Sequence, residues 1–393
     1  MASPADMRDL LGLYEEVVRA LHAGALTRAA AARAPRPAPG GKLLVLGLGK
    51  VAAEMVSALP RERSALVVVP NDAPAPSGVR VLRGGHPLPD AASLEAGEAL
   101  LAAAGALEPA DAALLLISGG GSALAEAPHP ELTLADVREI NQALLSSGAP
   151  IEEMNCVRAH LSRLKGGGIA RALHAAGVSR ARALVAVDVR VGGVRAVSSG
   201  PAIGDPTTCA DALALARKYA LPQAATRMRE TLKPGEPADF IEHEAICDLR
   251  SPAREAARRA GARMLDSPVR GTVQAFAEAL ARERGFICAS GELEVRVPPG
   301  GRDQHLALLM ALKLRGEPGA AFLAAGTDGR DGPTAAAGAT VDGSTWDEAE
   351  RRGLHPARAV AEFDAGRVLS GLGLLIPARH TGAHAGDLFL LRR

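Results

Sequence analysis

Short apolar runs that end in glycine recur along this chain and constrain its fold more than any other feature. KLLVLGLG (42–49) is an uninterrupted apolar run, and AALLLI (112–117) leads into SGGGS. Continuous apolar runs of this kind are typical of parallel strands that are buried on both faces. Helical patterns over 50–59 and 134–147 separate such runs. The alternation predicts an α/β fold with a doubly wound, Rossmann-like, mostly parallel sheet.

A polar stretch punctuated by proline, LPQAATRMRETLKPGEPADF (221–240), divides the chain. It predicts an N-terminal Rossmann-like domain over 1–235 and a smaller α/β domain over 240–393. In the second domain the patterns predict helices 253–265 and 303–314 and strands 292–297 and 320–325. We expect the active site in the cleft between the two domains, because ligands often bind at domain interfaces.

The overall charge and the few aromatic residues argue against nucleic acid and membrane partners. There are 45 basic and 44 acidic residues and only 2% aromatic residues, so the chain offers neither a basic field nor a stacking platform. The four cysteines are scattered without metal-ligand spacing, which favours reduced thiols. The N-terminal segment is an amphipathic helix and lacks the pattern of a signal peptide. We therefore expect a soluble cytoplasmic protein, with a homodimer left open.

GLGKVAAEM (47–55) lies at the predicted turn from the first strand to its helix. Gly47 and Gly49 would let backbone N–H groups approach an anion, and Lys50 adds a point charge. Asp72, near the end of the next strand, would instead suit the ribose of a dinucleotide. A structural turn, a phosphate site and a dehydrogenase site all remain open on this motif alone.

LISGGGSAL (116–124) follows a second apolar run. Consecutive glycines can present successive N–H donors to phosphate, whereas a flexible turn normally needs only one glycine. The motif lacks the Lys-Ser/Thr ending of a Walker loop. The candidate phosphate-binding residues here are Ser118, Gly119, Gly120, Gly121 and Ser122.

The segment IEEMNCVRAHLSRLKGGG (151–168) predicts a helix over 152–164 that carries a polar face. Asn155, Arg158, Ser162 and Lys165 recur at helical spacing, and this face carries no acid. A solvated surface is the ordinary interpretation of such a face. The missing acids and the glycines that follow favour an anionic ligand instead.

Carboxylates and an arginine follow several other predicted strands. Asp188 ends the run LVAV at the predicted carboxyl edge of the sheet, where it could serve as a base or a metal ligand or simply cap a turn. Arg302 lies at a glycine-to-helix junction and could clamp phosphate or carboxylate with its planar fork. In AAGTDGRDGPTAAAG (324–338), Thr327, Asp328 and Asp331 are packed among glycines, which predicts a loop that binds a ligand or Mg²⁺.

Seven segments together resemble the glycerate 2-kinase family of the MOFRL type over nearly the whole chain. They are GLGKVAAEM (47–55), GGHPLPDAASLEAG (84–97), SGGGSAL (118–124), MNCVRAHLSRLKGG (154–167), SSGPAIGDPTT (198–208), GGRDQ (300–304) and AAGTDGRDGPTAAAGATVD (324–342). The resemblance implies phosphorylation of D-glycerate at its 2-hydroxyl with ATP and Mg²⁺, giving 2-phosphoglycerate. Another small hydroxyacid remains an alternative substrate.

The resemblance also implies roles for individual residues. Lys50 and Arg302 are expected as the cationic pair at the reacting groups, and Asp188 as the catalytic acidic residue. Gly47, Gly49, the 118–122 loop, Thr327 and Asp328 are expected to bind the nucleotide. We assign His86, Asn155, Arg158 and Lys165 to the substrate, and Asp188 and Asp328 to the metal. This set matches the needs of phosphoryl transfer, which are positioning and charge neutralisation.

Three motifs depart from the pattern of that family. VDVRVGGV (187–194) stands where SDVPGDDP is common, GGRDQH stands for GGRNQE, and TGAHAGD (381–387) stands for TGTNVND. These changes leave two alternatives open: a nicotinamide-dependent reductase of hydroxypyruvate-like acids, and a protein that binds its ligand without turnover.

Overall fold

The computed structural model describes residues 4–60, 64–266, 269–294 and 301–393. The chain forms two compact units. The central unit comprises residues 23–246, and the terminal unit comprises residues up to 22 together with residues 247–393. Among the described residues, no helix combines the length and the apolar content needed to span a bilayer.

The strands form one sheet in each unit. They are β1 Leu43–Leu48, β2 Ser64–Pro70, β3 Arg80–Gly84, β4 Ala112–Ile117, β5 Ala181–Ala186, β6 Glu242–Cys247, β7 Arg263–Met264, β8 Phe286–Gly291, β9 Ala321–Gly326, β10 Ala336–Asp342, β11 Leu375–Pro377 and β12 Asp387–Arg392.

The helices of the described residues are mostly short. They are α1 Pro4–Ala20, α2 Ala23–Ala30, α3 Ala52–Ser57, α4 Ala91–Gly105, α5 Gly121–Leu124, α6 Leu134–Ser146, α7 Ile151–His160, α8 Gly168–Ala175, α9 Cys209–Lys218, α10 Pro222–Ala225, α11 Ser251–Ala260, α12 Val273–Leu280, α13 Arg302–Lys313, α14 Thr345–Arg351, α15 Pro356–Ala361 and α16 Ala365–Leu372. Single 3₁₀ turns occur at Ala31–Arg33, Gly193–Arg195 and Val197–Ser199.

The sheet of the central unit confirms the predicted doubly wound fold. Its order is β3-β2-β1-β4-β5-β6, and β1 pairs in parallel with both β2 and β4. Every residue of β4 is buried, as expected for an apolar strand that is covered on both faces. Since the chain winds outward in both directions from β1 and β4, the topological switch point lies between these two strands.

The sheet of the terminal unit is mixed, with the order β11-β10-β9-β12-β8-β7. The central strand β12 runs antiparallel to both β8 and β9, while β7 and β8 are parallel. The predicted second, smaller α/β domain is therefore confirmed as a fold class.

The first helix packs with the terminal unit, although the predicted boundaries place it in the domain 1–235. Leu10, Tyr14 and Val17 of α1 are fully buried, and the Tyr14 hydroxyl donates to the carbonyl of Gly326 over 2.8 Å. An amphipathic pattern identifies such a helix, but it carries no information about which apolar surface the helix will cover.

Two predicted elements differ from the structure. The predicted strand 292–297 is not formed at 292–294, and its remaining residues lie outside the described ones. The strand is instead β8, Phe286–Gly291, just before it, whose register against β12 buries its residues. The predicted helix 152–164 ends at His160, because the chain must turn there into the glycines at 166–168.

Candidate active site

Three loops leave the carboxyl ends of neighbouring strands in the central unit. Gly49 and Lys50 follow β1, Ser118–Ser122 follow β4, and Asp188 follows β5. Because β1 and β4 flank the switch point, these loops lie where doubly wound sheets bind their ligands. The structure therefore brings Lys50, the glycine loop and Asp188 together at one edge of the sheet.

Gly119 and Asp188 are in direct contact. A Cβ atom placed on Gly119 would lie 1.8 Å from Oδ2 and 2.5 Å from Cγ of Asp188. The carboxylate therefore occupies the space that a side chain at position 119 would need. Glycine is required here by this close approach, which fixes Asp188 against the loop.

Lys50 is tied to the same loop through its backbone. Its N–H donates to the carbonyl of Gly119 over 2.9 Å, and its side chain runs beside Gly120, close to His86. The ammonium forms no ion pair with any described carboxylate. A lysine whose backbone is held in place and whose ammonium has no carboxylate partner is suited to bind an anionic ligand.

The ends of β1 and β4 are packed so closely that Gly49 has no room for a side chain. Gly49 has φ of 126°, and a Cβ there would lie 2.3 Å from the hydroxyl oxygen of Ser118. That hydroxyl accepts from the N–H of Val51, and the carbonyl of Ser118 accepts from the Ser198 hydroxyl over 2.8 Å. Ser118 is buried, so its side chain supports the loop from within.

Ser198 and Ser199 were missed as site residues by the sequence analysis. Both have positive φ, 54° and 57°, a strained conformation for residues other than glycine. The Ser199 hydroxyl lies 2.7 Å from that of Ser122 and donates to the side-chain oxygen of Asn155 over 2.8 Å. The motif SSGPAIGDPTT was visible in the sequence, but nothing in it indicated that its serines would contact the glycine loop.

The predicted polar face of one helix is wrong in its second half. Asn155 and Arg158 lie on α7, but Ser162 and Lys165 follow its end. Lys165 is 2% exposed and its ammonium forms an ion pair with Glu126. Its charge is therefore neutralised inside the unit, and burial lowers the pKa of Lys165.

The two helical members of that face are held by neighbours in the central unit. The Asn155 amide donates to the carbonyl of Ala196 over 3.2 Å. Nε of Arg158 donates to the side-chain oxygen of Asn141 over 2.6 Å. Arg158 remains half-buried, and its two other guanidinium nitrogens make no hydrogen bond with the described residues.

Arg302, at the start of α13 in the terminal unit, is already paired with two carboxylates. Its Nε lies 2.8 Å from Asp387 Oδ2, and Nη1 donates to Glu292 over 3.1 Å. These acids outweigh the effect of burial and raise the pKa of Arg302. Nη2 also donates to Oδ1 of Asp387 over 3.1 Å, so all three guanidinium nitrogens of Arg302 are engaged, although 30% of its side chain is exposed.

The loop 324–338 is only partly available for binding. Thr327 is buried, and its hydroxyl donates to the carbonyl of Gly386 over 2.6 Å and accepts from the N–H of Ala385. Asp331 accepts from the N–H groups of Asp303 and Gln304, which otherwise have no partner at the start of α13. Asp328 is the half-buried member, with one oxygen accepting from the N–H of Arg330.

A buried carboxyl with no donor lies beside Arg302. Asp303 is fully buried, and neither oxygen receives a hydrogen bond from the described residues. Burial and the carboxylates of Asp387 and Asp331 raise the pKa of Asp303 well above its usual range. Burial also raises the pKa of Asp387, to about 7, while its ion pair with Arg302 opposes this shift. We infer that Asp303 holds a proton at neutral pH, while Asp387 is the partner of Arg302.

This arrangement makes the stability of the terminal unit depend on pH. The folded state retains a proton on Asp303 that the unfolded chain releases near pH 4, so stability falls as pH rises toward the folded pKa. One retained proton corresponds to about 1.4 kcal/mol per pH unit within that window. We expect Asp303→Asn to raise the Tm more at pH 8 than at pH 5.5, as measured by calorimetry.

The matched control is Asp347→Asn, which alters an exposed aspartate of the same unit. Its effect on Tm should be equal at the two pH values. An equal effect of Asp303→Asn at both values would contradict a retained proton.

Residues 9–233 of the chain match a domain of unknown function, DUF4147, and residues 285–387 match the MOFRL family. The chain is 34% identical to D-glycerate 2-kinase of Thermotoga maritima, over 79% of each chain. It is 35% identical to a protein of Agrobacterium vitis with the provisional name hydroxypyruvate reductase, over 89% of this chain and 87% of that one. The crystal structure of a glycerate kinase from Thermotoga maritima superposes with a TM-score of 0.87 at 27% identity, covering 98% of this chain and 99% of that chain.

Proposed function

The chain belongs to the glycerate 2-kinase family of the MOFRL type, and on that premise we propose that it transfers the terminal phosphoryl group of ATP to the 2-hydroxyl of D-glycerate. The product is 2-phosphoglycerate. The observation that carries this proposal is the contact of Asp188 with Gly119, whose carbonyl in turn accepts from the N–H of Lys50.

Each of these groups has a task in an in-line displacement. The Lys50 ammonium offsets the negative charge on the transferring phosphoryl group. Asp188, held against the loop, orients the attacking hydroxyl and accepts its proton. The closely packed glycines at 119–121 let a phosphate approach the backbone without side chains in the way. Positioning and charge neutralisation are the main requirements of phosphoryl transfer.

Mg²⁺ fits the donors that these loops offer. Magnesium in kinases is bound by one or two carboxylates, water and the phosphates of the nucleotide, where it offsets the phosphate charge. Asp188, the carboxylate next to the glycine loop of the central unit, is a candidate ligand. Asp328 of the terminal unit stays a prediction for the metal, and one of its oxygens accepts no hydrogen bond from the described residues. That Arg302 and Thr327 bind the nucleotide stays a prediction. A ligand of Arg302 would have to share the guanidinium group with Asp387.

The hydroxyacid is assigned to the side of the loop that carries His86, Asn155 and Arg158. His86 is exposed and lies beside Gly120, and Asn155 is linked to Ser122 through Ser199. Arg158 supplies a charge for the carboxylate of the hydroxyacid. We assign Lys165 a structural role next to this site, because its ammonium is neutralised by the ion pair with Glu126.

The test is a steady-state assay of the purified chain with ATP, MgCl₂ and D-glycerate. We expect release of ADP in step with glycerate consumption, and phosphorus NMR should identify phosphate on the secondary hydroxyl. L-glycerate and glycolate serve as control acceptors. Nucleotide or glycerate binding by calorimetry without ADP release would instead identify a binding protein that has lost turnover.

A nicotinamide-dependent reductase is the second candidate, because relatives with the provisional name hydroxypyruvate reductase match most of the chain. The strand order of the central sheet and Asp72, exposed in the turn after β2, are compatible with a dinucleotide site. Oxidation of NADH or NADPH by hydroxypyruvate, with no ADP release from ATP and D-glycerate, would favour this candidate.

A further inference from the structure

A cluster of metal-ligand side chains in the central unit has no part in the proposed phosphoryl transfer. It consists of His160 at the end of α7, Cys209 at the start of α9, and Glu230. One ligand atom from each residue lies within 4.8 Å of the other two. Ligands of a tetrahedral zinc ion lie about 3.3–3.8 Å apart, given their bond lengths. Small side-chain rotations would therefore close the set around one ion.

The hydrogen bonds of His160 determine which nitrogen faces the cluster. His160 is fully buried, and its Nδ1 lies 2.8 Å from the carbonyl oxygen of Cys156. A carbonyl only accepts, so Nδ1 must carry a hydrogen. This is the arrangement of zinc-binding histidines, in which one ring nitrogen donates to a carbonyl or carboxylate and thereby directs the other nitrogen to the metal.

The other nitrogen faces a carboxylate. Nε2 of His160 lies 3.3 Å from Oε1 of Glu230. With Nδ1 protonated, a neutral imidazole would present a lone pair to a negatively charged oxygen, which is repulsive unless a cation lies between them. A metal ion between Nε2 and Oε1 would be such a cation, as the Lys233 ammonium already is for Oε1 alone.

The third member of the cluster is a thiol. The Cys209 side chain is hydrogen-bonded to Glu230, and the sulfur of a cysteine is a strong ligand for zinc. The backbone N–H of Cys209 also donates to Oε2 of Glu230 over 3.3 Å, which holds the two residues together. Half of the Glu230 side chain is exposed, so an ion can reach the cluster from solvent.

We propose that His160, Cys209 and Glu230 form a zinc site, with Nε2, the thiolate and one carboxylate oxygen as ligands and water in the fourth position. Binding displaces the proton of the Cys209 thiol, which leaves to solvent. The ion joins the end of α7, the start of α9 and the segment that carries Glu230, and thereby stabilises this helical part of the central unit. The proposal does not depend on the proposed kinase activity.

Lys233 competes with the metal for Glu230. Its ammonium lies 2.5 Å from Oε1 of Glu230 and also contacts the hydroxyl of Thr231. Although partial burial opposes it, Lys233 lowers the pKa of Glu230 to about 2, which keeps the carboxylate ionised. Removal of this ammonium should therefore strengthen zinc binding. Asp205, the other nearby acid, lies 3.9 Å from Nδ1 of His160 and accepts from Thr207 and Thr231.

The experiment uses the full chain after treatment with a chelator. ZnCl₂ is titrated against a chromophoric zinc chelator, and we expect one ion per chain with release of one thiol proton. Cys209→Ser and Glu230→Gln should each weaken binding about 10-fold or more. Lys233→Met should tighten it. In the wild type, zinc at about 100 times its Kd should raise the Tm by several degrees.

Matched controls are Cys247→Ala and Glu236→Gln, which remove a thiol and an exposed carboxylate outside the cluster. Both should bind zinc as the wild type does. Cobalt in place of zinc should give a cobalt–thiolate absorption that Cys209→Ser abolishes. Failure of the wild type to bind zinc, or binding that survives both Cys209→Ser and Glu230→Gln, would overturn the proposal.

Discussion

Replacement of Lys50 by alanine should lower the kcat for phosphoryl transfer by about 10³-fold or more while leaving the fold intact. The effect resembles the loss of a cationic group that stabilises the transferring phosphoryl, for which factors of about 10³–10⁵ are typical. The ammonium makes no ion pair with the described carboxylates, so its removal leaves no buried charge behind. Steady-state kinetics with ATP and D-glycerate, together with a thermal melt, measure both effects.

Lys42→Ala is the matched control for this variant. Lys42 precedes β1 just as Lys50 follows it, and its exposed ammonium lies 3.9 Å from Asp111. Asp111 is buried and keeps its hydrogen bonds from the N–H groups of Lys42 and Glu108 in this variant, so kcat should be unchanged. A kcat of Lys50→Ala close to that of wild type would show that the reacting phosphate lies elsewhere.

Replacement of Gly119 by alanine should lower kcat by about 10²-fold, because a displacement of about 1 Å in a reacting group costs that much. The added methyl would lie 1.8, 2.5 and 2.8 Å from Oδ2, Cγ and Oδ1 of Asp188. The three nearest atoms all belong to the tip of one side chain. Asp188 can therefore rotate away, so the protein stays folded while its carboxylate leaves the loop.

Two further variants separate this explanation from general damage. Gly105→Ala adds a methyl group to a glycine of the same unit with open space around it and should leave kcat and Tm near wild type. Asp188→Ala should lower kcat as well, and the double variant should be no slower than the slower single variant, because both changes remove the same group. Additive losses would contradict the view that Gly119 acts through Asp188.

The sequence was sufficient for the features that depend on local pattern. Apolar runs ending in glycine identified β1 and β4, and the helix predicted over 134–147 is α6, Leu134–Ser146, with Thr133 as its N-cap. In a parallel sheet the carboxyl ends of neighbouring strands share one edge, so Lys50, Gly119 and Asp188 could be grouped before any coordinates were known.

Partnerships between distant residues could not be predicted in the same way. Lys165 was grouped with Arg158 by helical spacing, yet the helix ends at His160 and Glu126 neutralises the lysine. The whole loop 324–338 was predicted to bind a ligand, but the Asp331 carboxylate accepts hydrogen bonds from the first N–H groups of α13. In both cases the deciding partner comes from another part of the chain, and spacing contains no information about it.

The amino-acid sequence alone determined the α/β class, the positions of the strand ends and the charged groups that follow them. It could do so because local propensity and burial act on neighbours in the chain. Only the tertiary structure decided which of those charged groups remain able to bind a ligand. Packing buries Asp303 without a donor and commits Arg302 to Asp387 and Glu292, while Lys50 makes no ion pair among the described residues. Charge neutralisation depends on distances through space, and these are set only when the strands and helices have packed.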